Sequence, residues 1–279
     1  MRRRSTAGLV VAITGGANGI GRETAERFAR AGALVAVGDL DGPAAQAAAQ
    51  ALGAPAIGLA LDVTDERSFT AFLDTVEQQL GPVDVLVNNA GVMWVGAFET
   101  EPERVAERQV AVNLLGAIRG VRLVAPRMVA RGSGCIVTVA SAASLVAPPG
   151  ESTYAATKHG IHGYLKGVRR ELRGRGVDVC AVMPAVVDTA LAAGTSTGAT
   201  PMLTTADVAA AVVRAVERPR FEVFVPGRLA ALAVLLAVLP RPVRDLAERL
   251  LVPDQLKRLA AGAATRSGYE ATHFGGPTP

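Results

Sequence analysis

The chain has 279 residues, half of them hydrophobic, which suits one large α/β domain with an extension. Aromatics make up only 4%, so the core is aliphatic, as a buried parallel sheet requires. The net charge of +4 comes without a basic stripe interleaved with aromatics, which argues against a nucleic-acid binder. The two cysteines, Cys135 and Cys180, sit in apolar runs and read as small buried hydrophobes rather than a disulfide framework. No apolar signal segment precedes the first strand-like run, so the expected compartment is the cytoplasm.

Leu9 to Thr14 is an apolar run ending in glycines and reads as a buried first strand. Gly19 to Ala31 has helical spacing, with Ile20, Thr24, Phe28 and Ala31 on one face. Strands are expected at 34–38, 56–61, 83–87, 135–139, 177–182 and 221–225. Helices are expected after Pro43 and at 66–80, 102–130, 154–174 and 206–216. This alternation predicts right-handed crossovers and a Rossmann-like, doubly wound, mainly seven-stranded parallel sheet with helices on both faces. Residues 1–227 form the expected cofactor-binding and catalytic domain, and 228–279 a helical C-terminal extension.

The turn Thr14-Gly15-Gly16-Ala17-Asn18-Gly19-Ile20-Gly21 lies between the first strand and the first helix. Glycines there let backbone N–H groups approach a pyrophosphate, and the helix N-terminus adds about half a positive charge. Asp39 closes the second strand. Its carboxylate can accept both ribose hydroxyls of an adenosine and would repel the 2′-phosphate of NADP. Neither Asn18 nor Leu40 brings a compensating cation, and Arg22 starts a helix where it faces solvent. NAD is therefore the expected cofactor, ahead of NADP. Asp62 and Val63 follow the third strand, where they would border an adenine. Asn88, Asn89, Ala90 and Gly91 follow the fourth, at the strand ends where open α/β sheets hold ligands.

Tyr154 and Lys158 are one helical turn apart and project from one face. A nearby ammonium favours a phenolate, which makes a usable general acid/base. The same spacing also occurs on ordinary helix surfaces. Ser141, just past the fifth strand, strengthens the catalytic reading because its hydroxyl is placed to hold a substrate oxygen. Asn113 sits inside the long helix, where an amide is mildly unfavourable and invites a specific role.

Together, TGGANGIG at 14–21, NNAG at 88–91, Asn113, Ser141, YxxxK at 154–158 and Pro184 to Thr189 resemble the short-chain dehydrogenase/reductases of the ordinary type. The resemblance covers about Gly8 to Pro226. It implies that Tyr154 exchanges the proton at the substrate oxygen, that Ser141 orients that oxygen, and that Lys158 lowers the tyrosine pKa and binds the nicotinamide ribose. It implies that Asn113 holds a water beside Lys158, and that Val187 and Thr189 meet the carboxamide or phosphate. It also implies a homotetramer or homodimer paired through the helices at 102–130 and 154–174. The sequence departs from the family's usual Pro-Gly after the sixth strand. Pro184-Ala185 stands there, and the added methyl narrows the approach to the nicotinamide.

The expected pocket residues, Met93, Trp94, Val146, Pro148, Ala185 and Val186, are mostly apolar, and no arginine clamps an anion. A hydrophobic secondary alcohol or ketone follows, steroid-, terpenoid-, retinoid- or lipid-like. The Gly/Thr/Ser-rich stretch 190–205 reads as a mobile lid or a plain loop. Leu229 to Leu239 is apolar all round and, at about 16 Å as a helix, too short to span a bilayer. The stretch 243–259 reads as amphipathic, with Arg241, Arg244, Arg249, Lys257 and Arg258 around it. The extension is expected to cover the substrate mouth or pack on a partner subunit, with peripheral membrane contact through 228–259 as the alternative. No metal site is expected from the three histidines. The competing functional readings are a catalytically silent dinucleotide sensor and an epimerase or dehydratase.

Overall fold

The computed structural model describes residues 4–53, 55–195, 197 and 201–275. Seven parallel strands form one sheet: β1 (Val10–Thr14), β2 (Leu34–Asp39), β3 (Ala56–Ala60), β4 (Val85–Asn88), β5 (Gly134–Val139), β6 (Val177–Pro184) and β7 (Glu222–Val225). Their order is β3-β2-β1-β4-β5-β6-β7. The order reverses between β1 and β4, so the loops beyond those two strands diverge and leave a crevice.

The central strands β1, β4 and β5 are buried throughout because nearly all their residues are apolar, while the edge strands β3 and β7 are only partly covered. Along β1, Val10 and Ala12 enter one core, while Val11 and Ile13 enter the other. The first core packs against α3 (Glu66–Gln79), α5 (Ala117–Arg131) and α6 (Ser152–Glu171) through Phe69, Leu73, Met128, Ile161 and Leu165. The second packs against α1 (Gly19–Arg30), α2 (Gly42–Ala51) and α7 (Thr205–Glu217) through Phe28, Ala45, Ala48, Val208 and Val212. Small residues on α2 allow a close approach to β3, where a side chain at Gly58 would collide with the Ala45 backbone. Cys135 and Cys180 are both buried and unpaired, in line with their apolar surroundings.

Two stretches differ from the expected pattern. The long helix expected over 102–130 is α4 (Glu103–Gln109) and α5 joined by a wide π-helical turn, Val110–Gly116, which contains Asn113. Such wide turns free backbone groups locally and recur at functional sites. The amphipathic segment expected over 243–259 is interrupted. After α8 (Leu229–Val238), α9 (Arg241–Leu251) stops before Val252-Pro253, and α10 (Leu256–Phe274) begins beyond. Proline cannot continue a helix whose preceding residue turns extended, and Val252 has φ −90° and ψ 120°. Of the stretch read as a lid, residues 196 and 198–200 lie outside the described residues. The rest holds a short helical turn at Ala190–Ala192 and a bridge from Val187 to Leu203.

Candidate active site

The crevice opens into one cavity of about 990 Å³. Its first wall is the glycine turn. Gly15 and Gly19 have φ of +62° and +54°, a region side chains disfavour. The Asn18 side chain makes no capping bond, so the first-turn N–H groups of α1 are left for a ligand. Among the described residues, the one atom within 4 Å of an added Cβ at Gly19 is Thr189 Cγ2, at 3.7 Å, so the turn faces Thr189. The turn is fixed from below. Thr14 Oγ1 accepts from the N–H groups of Asn89 and Ala90, both at 3.0 Å. Asn89 Nδ2 donates back to the carbonyls of Thr14 (3.0 Å) and Gly15 (2.8 Å). This cradle fits a dinucleotide pyrophosphate in size, backbone conformation and polarity.

Asp39 lies at the edge of β2 on the cavity. Its Oδ2 accepts from Ala17 N at 3.0 Å and its Oδ1 from Asp41 N, which leaves one lone pair on each oxygen for ribose hydroxyls. Asp62 Oδ1 is engaged by the backbone N–H and hydroxyl of Thr64. Leu40, 62% exposed, and Val63 border the same end. Arg22 pairs with Glu26 on the outer face of α1, away from Asp39. Asn18, Ile20, Ala90, Gly91, Pro184, Val187 and Thr189 also line this cavity. Gly21 does not line it. Gly21 instead lets α1 press against the turn, where its Cβ would collide with the Gly15 carbonyl.

At the opposite wall, the start of α6 carries Tyr154 and Lys158, and the turn after β5 carries Ser141. The Ser141 hydroxyl accepts from Ala143 N at 3.1 Å and lies close enough to the Tyr154 phenol to favour its ionised form. Lys158 Nζ lies 5.5 Å from the Tyr154 ring centre and donates to the Val139 carbonyl at 3.1 Å. Asn113 lies behind them and does not line the cavity. Its amide oxygen accepts from Val92 N and its Nδ2 donates to Val92 O, both at 2.8 Å, with a weaker bond to Thr157. Asn113 therefore clamps the strand-end loop to α6, and its oxygen and Lys158 Nζ both flank Gly91.

Burial decides the charges here. It pushes the Tyr154 phenol well above its ordinary value, Glu151 adds to the rise, and the nearby Ser141 hydroxyl opposes it. The expectation that Lys158 lowers the tyrosine's pKa is not met by this arrangement. The ammonium is itself desolvated, which brings it down to about 8, and it is spent on a carbonyl. Phenol and ammonium are thus the resting forms at neutral pH.

Of the expected pocket residues, Met93, Val146, Pro148, Ala185 and Val186 line the cavity. Trp94 does not: its ring folds back over Gly96, where any Cβ would strike it. The C-terminal extension, expected to cover the substrate mouth or pack on a partner subunit, lines this end of the cavity, through α10 residues that the sequence did not single out. Arg266, 3% exposed, donates to the carbonyls of Met93, Leu191 and Ala193 and to Glu270. The Tyr269 hydroxyl accepts from Met93 N at 3.2 Å, and Arg104 caps the helix at Phe274 and Gly275. Tyr269, Thr272 and His273 thereby face the cavity, joined by Leu229 and Leu232 of α8. Glu151, directly before α6, was also missed. Burial raises its carboxyl to about 7, with Arg266 opposing the rise.

That raised value has a consequence for stability. A carboxyl whose folded-state value lies above the unfolded one contributes fully at low pH and loses that contribution as pH rises through the folded value. Glu151 goes from 4.5 to about 7, so the loss falls between about pH 5 and pH 8 and reaches roughly 3 kcal/mol. Glu151→Gln should match wild type in thermal melts at pH 5 and melt several degrees higher at pH 8. Parallel melting curves at both pH values would contradict this.

Residues 9–199 match the family model for short chain dehydrogenases. The chain belongs to the short-chain dehydrogenase/reductase family. It is 38% identical over 192 residues to the "Probable oxidoreductase EphD" of Mycobacterium tuberculosis, a match that covers 67% of this chain and 32% of EphD. The chain thus spans about a third of that relative's length. It is 34% identical over 190 residues to the 2,5-dichloro-2,5-cyclohexadiene-1,4-diol dehydrogenase LinX of Sphingobium indicum, covering 67% of this chain and 76% of LinX. Among solved structures, a short chain dehydrogenase/reductase from Burkholderia phymatum in complex with NAD superposes with a TM-score of 0.76 at 28% identity, covering 84% of this chain and 94% of that one.

Proposed function

We propose that the protein transfers a hydride between NAD and a secondary alcohol or ketone of largely apolar character. One observation carries this reading: Tyr154, Ser141 and Lys158 meet on one wall of a cavity whose other end is a glycine turn flanked by Asp39. A bound nicotinamide supplies or accepts the hydride. Ser141 and Tyr154 hold the substrate oxygen between two hydroxyls. In reduction Tyr154 donates its proton to that oxygen, and in oxidation it takes the proton back. Lys158, 5.5 Å from the Tyr154 ring centre, would hold the cofactor ribose, and its ammonium would turn from the Val139 carbonyl to the phenolate as that charge forms. LinX, by its name, is likewise a dehydrogenase of alcohol groups.

NAD is preferred because Asp39 presents a carboxylate without a neighbouring cation. The test is NADH formation from a panel of secondary alcohols, with NAD and NADP in parallel. Asp39→Asn keeps an acceptor for Ala17 N but removes the charge. It should weaken NAD about tenfold and narrow the gap to NADP. NAD binding without turnover across the panel would favour the sensor reading instead.

We also propose that the extension 228–279 covers the substrate mouth, since Leu229, Leu232, Leu251 and Tyr269 line the cavity, with a peripheral membrane contact through 228–259 as the alternative reading. Among the described residues, no helix is long and apolar enough to cross a membrane. On α9, Val243, Leu246 and Leu250 form an i, i+3, i+7 stripe that is 49%, 56% and 77% exposed, so its apolar face points outward. On α8, Val234, Leu235 and Val238 are exposed as well, beside the cavity-lining Leu229, Leu232 and Leu251. Residues 228–257 hold five basic and three acidic side chains, which suits an anionic lipid surface better than a second copy of the same segment. The chain should float with phosphatidylserine vesicles, and Leu246→Glu/Leu250→Glu should not. Concentration-dependent dimers without flotation would assign the patch to self-association. Assembly as a homodimer or homotetramer through α4–α5 and α6 remains part of the proposal, with Val110 and Leu115 exposed along the first of these faces.

A further inference from the structure

Glu151 is the carboxylate that lines the substrate end of the cavity. The other acidic groups on its walls, Asp39, Asp41 and Asp62, lie at the end assigned to the adenosine. Only 6% of Glu151 is exposed. It occupies the N-cap position of α6, yet its side chain makes no capping bond, and only its backbone is used locally, to Pro148 and Ala155. No described residue hydrogen-bonds its carboxyl. Arg266, the cation whose field it feels, spends its guanidinium on Glu270 and three carbonyls. Thr138 and Ser144 hold hydroxyls that are sealed off without partners. The Glu151 oxygens are not sealed in this way and open onto the cavity.

A buried carboxyl without a partner is costly, and proteins keep such groups where a ligand completes them. The position is also informative. Glu151 precedes Tyr154 by three residues, which sets their Cβ atoms roughly 5–6 Å apart on one side of the helix start. Glu151 is close enough to raise the Tyr154 pKa.

We infer that the Glu151 carboxyl binds a second hydroxyl of the substrate, close to the reacting carbinol, so that the preferred substrate is a diol or hydroxyketone rather than a simple alcohol or ketone. This rests on the proposed role of Tyr154. The reacting oxygen sits between Ser141 and Tyr154, and the second oxygen lies one to three carbons away on the same ring or chain. The apolar walls formed by Met93, Val146 and Val186 take the remaining hydrocarbon. A carboxyl provides acceptor oxygens in either protonation state, so the contact survives across neutral pH.

The experiment compares cyclohexanol with cyclohexane-1,2-diol and cyclohexane-1,4-diol by initial rates with NAD. Wild type should show at least tenfold higher kcat/KM for one diol, mainly through a lower KM. Glu151→Leu should bring the ratio of diol to cyclohexanol close to one. Glu151→Gln, which keeps size and an acceptor, should give an intermediate ratio. Thermal melts establish that each variant is folded, and the glutamine variant carries the test if the leucine variant is not. A substrate ratio unchanged in both variants overturns the inference, as does a wild type that treats the alcohols alike. In both of those cases the hydride-transfer reading stands. If wild type oxidises none of the three, the hydride-transfer reading itself fails and takes this inference with it.

Discussion

Tyr154→Phe should lower turnover by about a thousandfold and leave NADH binding within a factor of two or so, because positioned proton transfer is worth about 10²–10⁴ in rate. The substitution removes one oxygen and keeps the ring. That ring packs in a small cluster with Met93, Val95, Ala143 and Ala155, and the phenylalanine fills the same space. The Ser141 hydroxyl loses the phenol but keeps its bond from Ala143 N, so no buried group is orphaned. Lys158 retains the Val139 carbonyl. Fold and cofactor affinity are therefore insulated from the change, while the proton has no carrier. The check is NADH fluorescence quenching or enhancement on titration, set against steady-state turnover. Residual turnover within tenfold of wild type would remove Tyr154 from the chemistry.

Gly21→Ala should weaken NAD by about a hundredfold or more, the largest binding effect expected from one added methyl. Its Cβ would collide with the Gly15 carbonyl and sit 2.6 Å from Asn89 Nδ2 and 2.9 Å from the Gly15 carbonyl carbon. Neither neighbour can retreat. Gly15 is held by Asn89, and a side chain at Gly15 would itself meet the Ala90 Cα at 2.9 Å. The strain is therefore relieved by moving the start of α1, which withdraws the N–H groups from the phosphate position. Overpacking of this kind costs about 1–3 kcal/mol in the fold as well, so the melting temperature should fall by several degrees. Calorimetric titration with NAD reads the first effect and a thermal melt the second. Wild-type affinity in this variant would mean that the glycine turn is not the pyrophosphate seat.

The sheet was legible because its signal is local and repeated. The first four strands are short apolar runs closed by a glycine, an asparagine or an aspartate, and all the runs recur after a helix-length interval. The glycine turn and the Tyr154–Lys158 pair were legible for a similar reason, since the chemistry needs fixed residue types at fixed spacing. The walls of the substrate end follow other rules. Trp94 looked like a pocket residue because it is large and near Met93, but whether its ring turns in or out depends on Gly96 two positions later, which leaves room for it to fold back. Asn113 stands out in the sequence as an amide inside a helix. The wide turn around it, and its hold on Val92, depend on partners 21 residues away. Nothing in the sequence separates Glu151 from an ordinary helix-start carboxylate, and its missing capping bond emerges only in the fold. Helix α10 carries alanines, glycines and scattered polar groups without a sustained apolar stripe. It docks through one buried arginine and one buried tyrosine, Arg266 and Tyr269, which no periodicity announces.

The three carbonyls gathered by Arg266 come from two separate loops, one after β4 and one after β6. A single guanidinium on α10 thus ties together two loops that wall the proposed substrate end, while the residues proposed for hydride transfer are carried by the turn after β5 and by α6. Evolution can retailor such a chamber by exchanging the tail and leaving the redox half untouched, so descendants of one ancestral scaffold would diverge in appetite sooner than in chemistry.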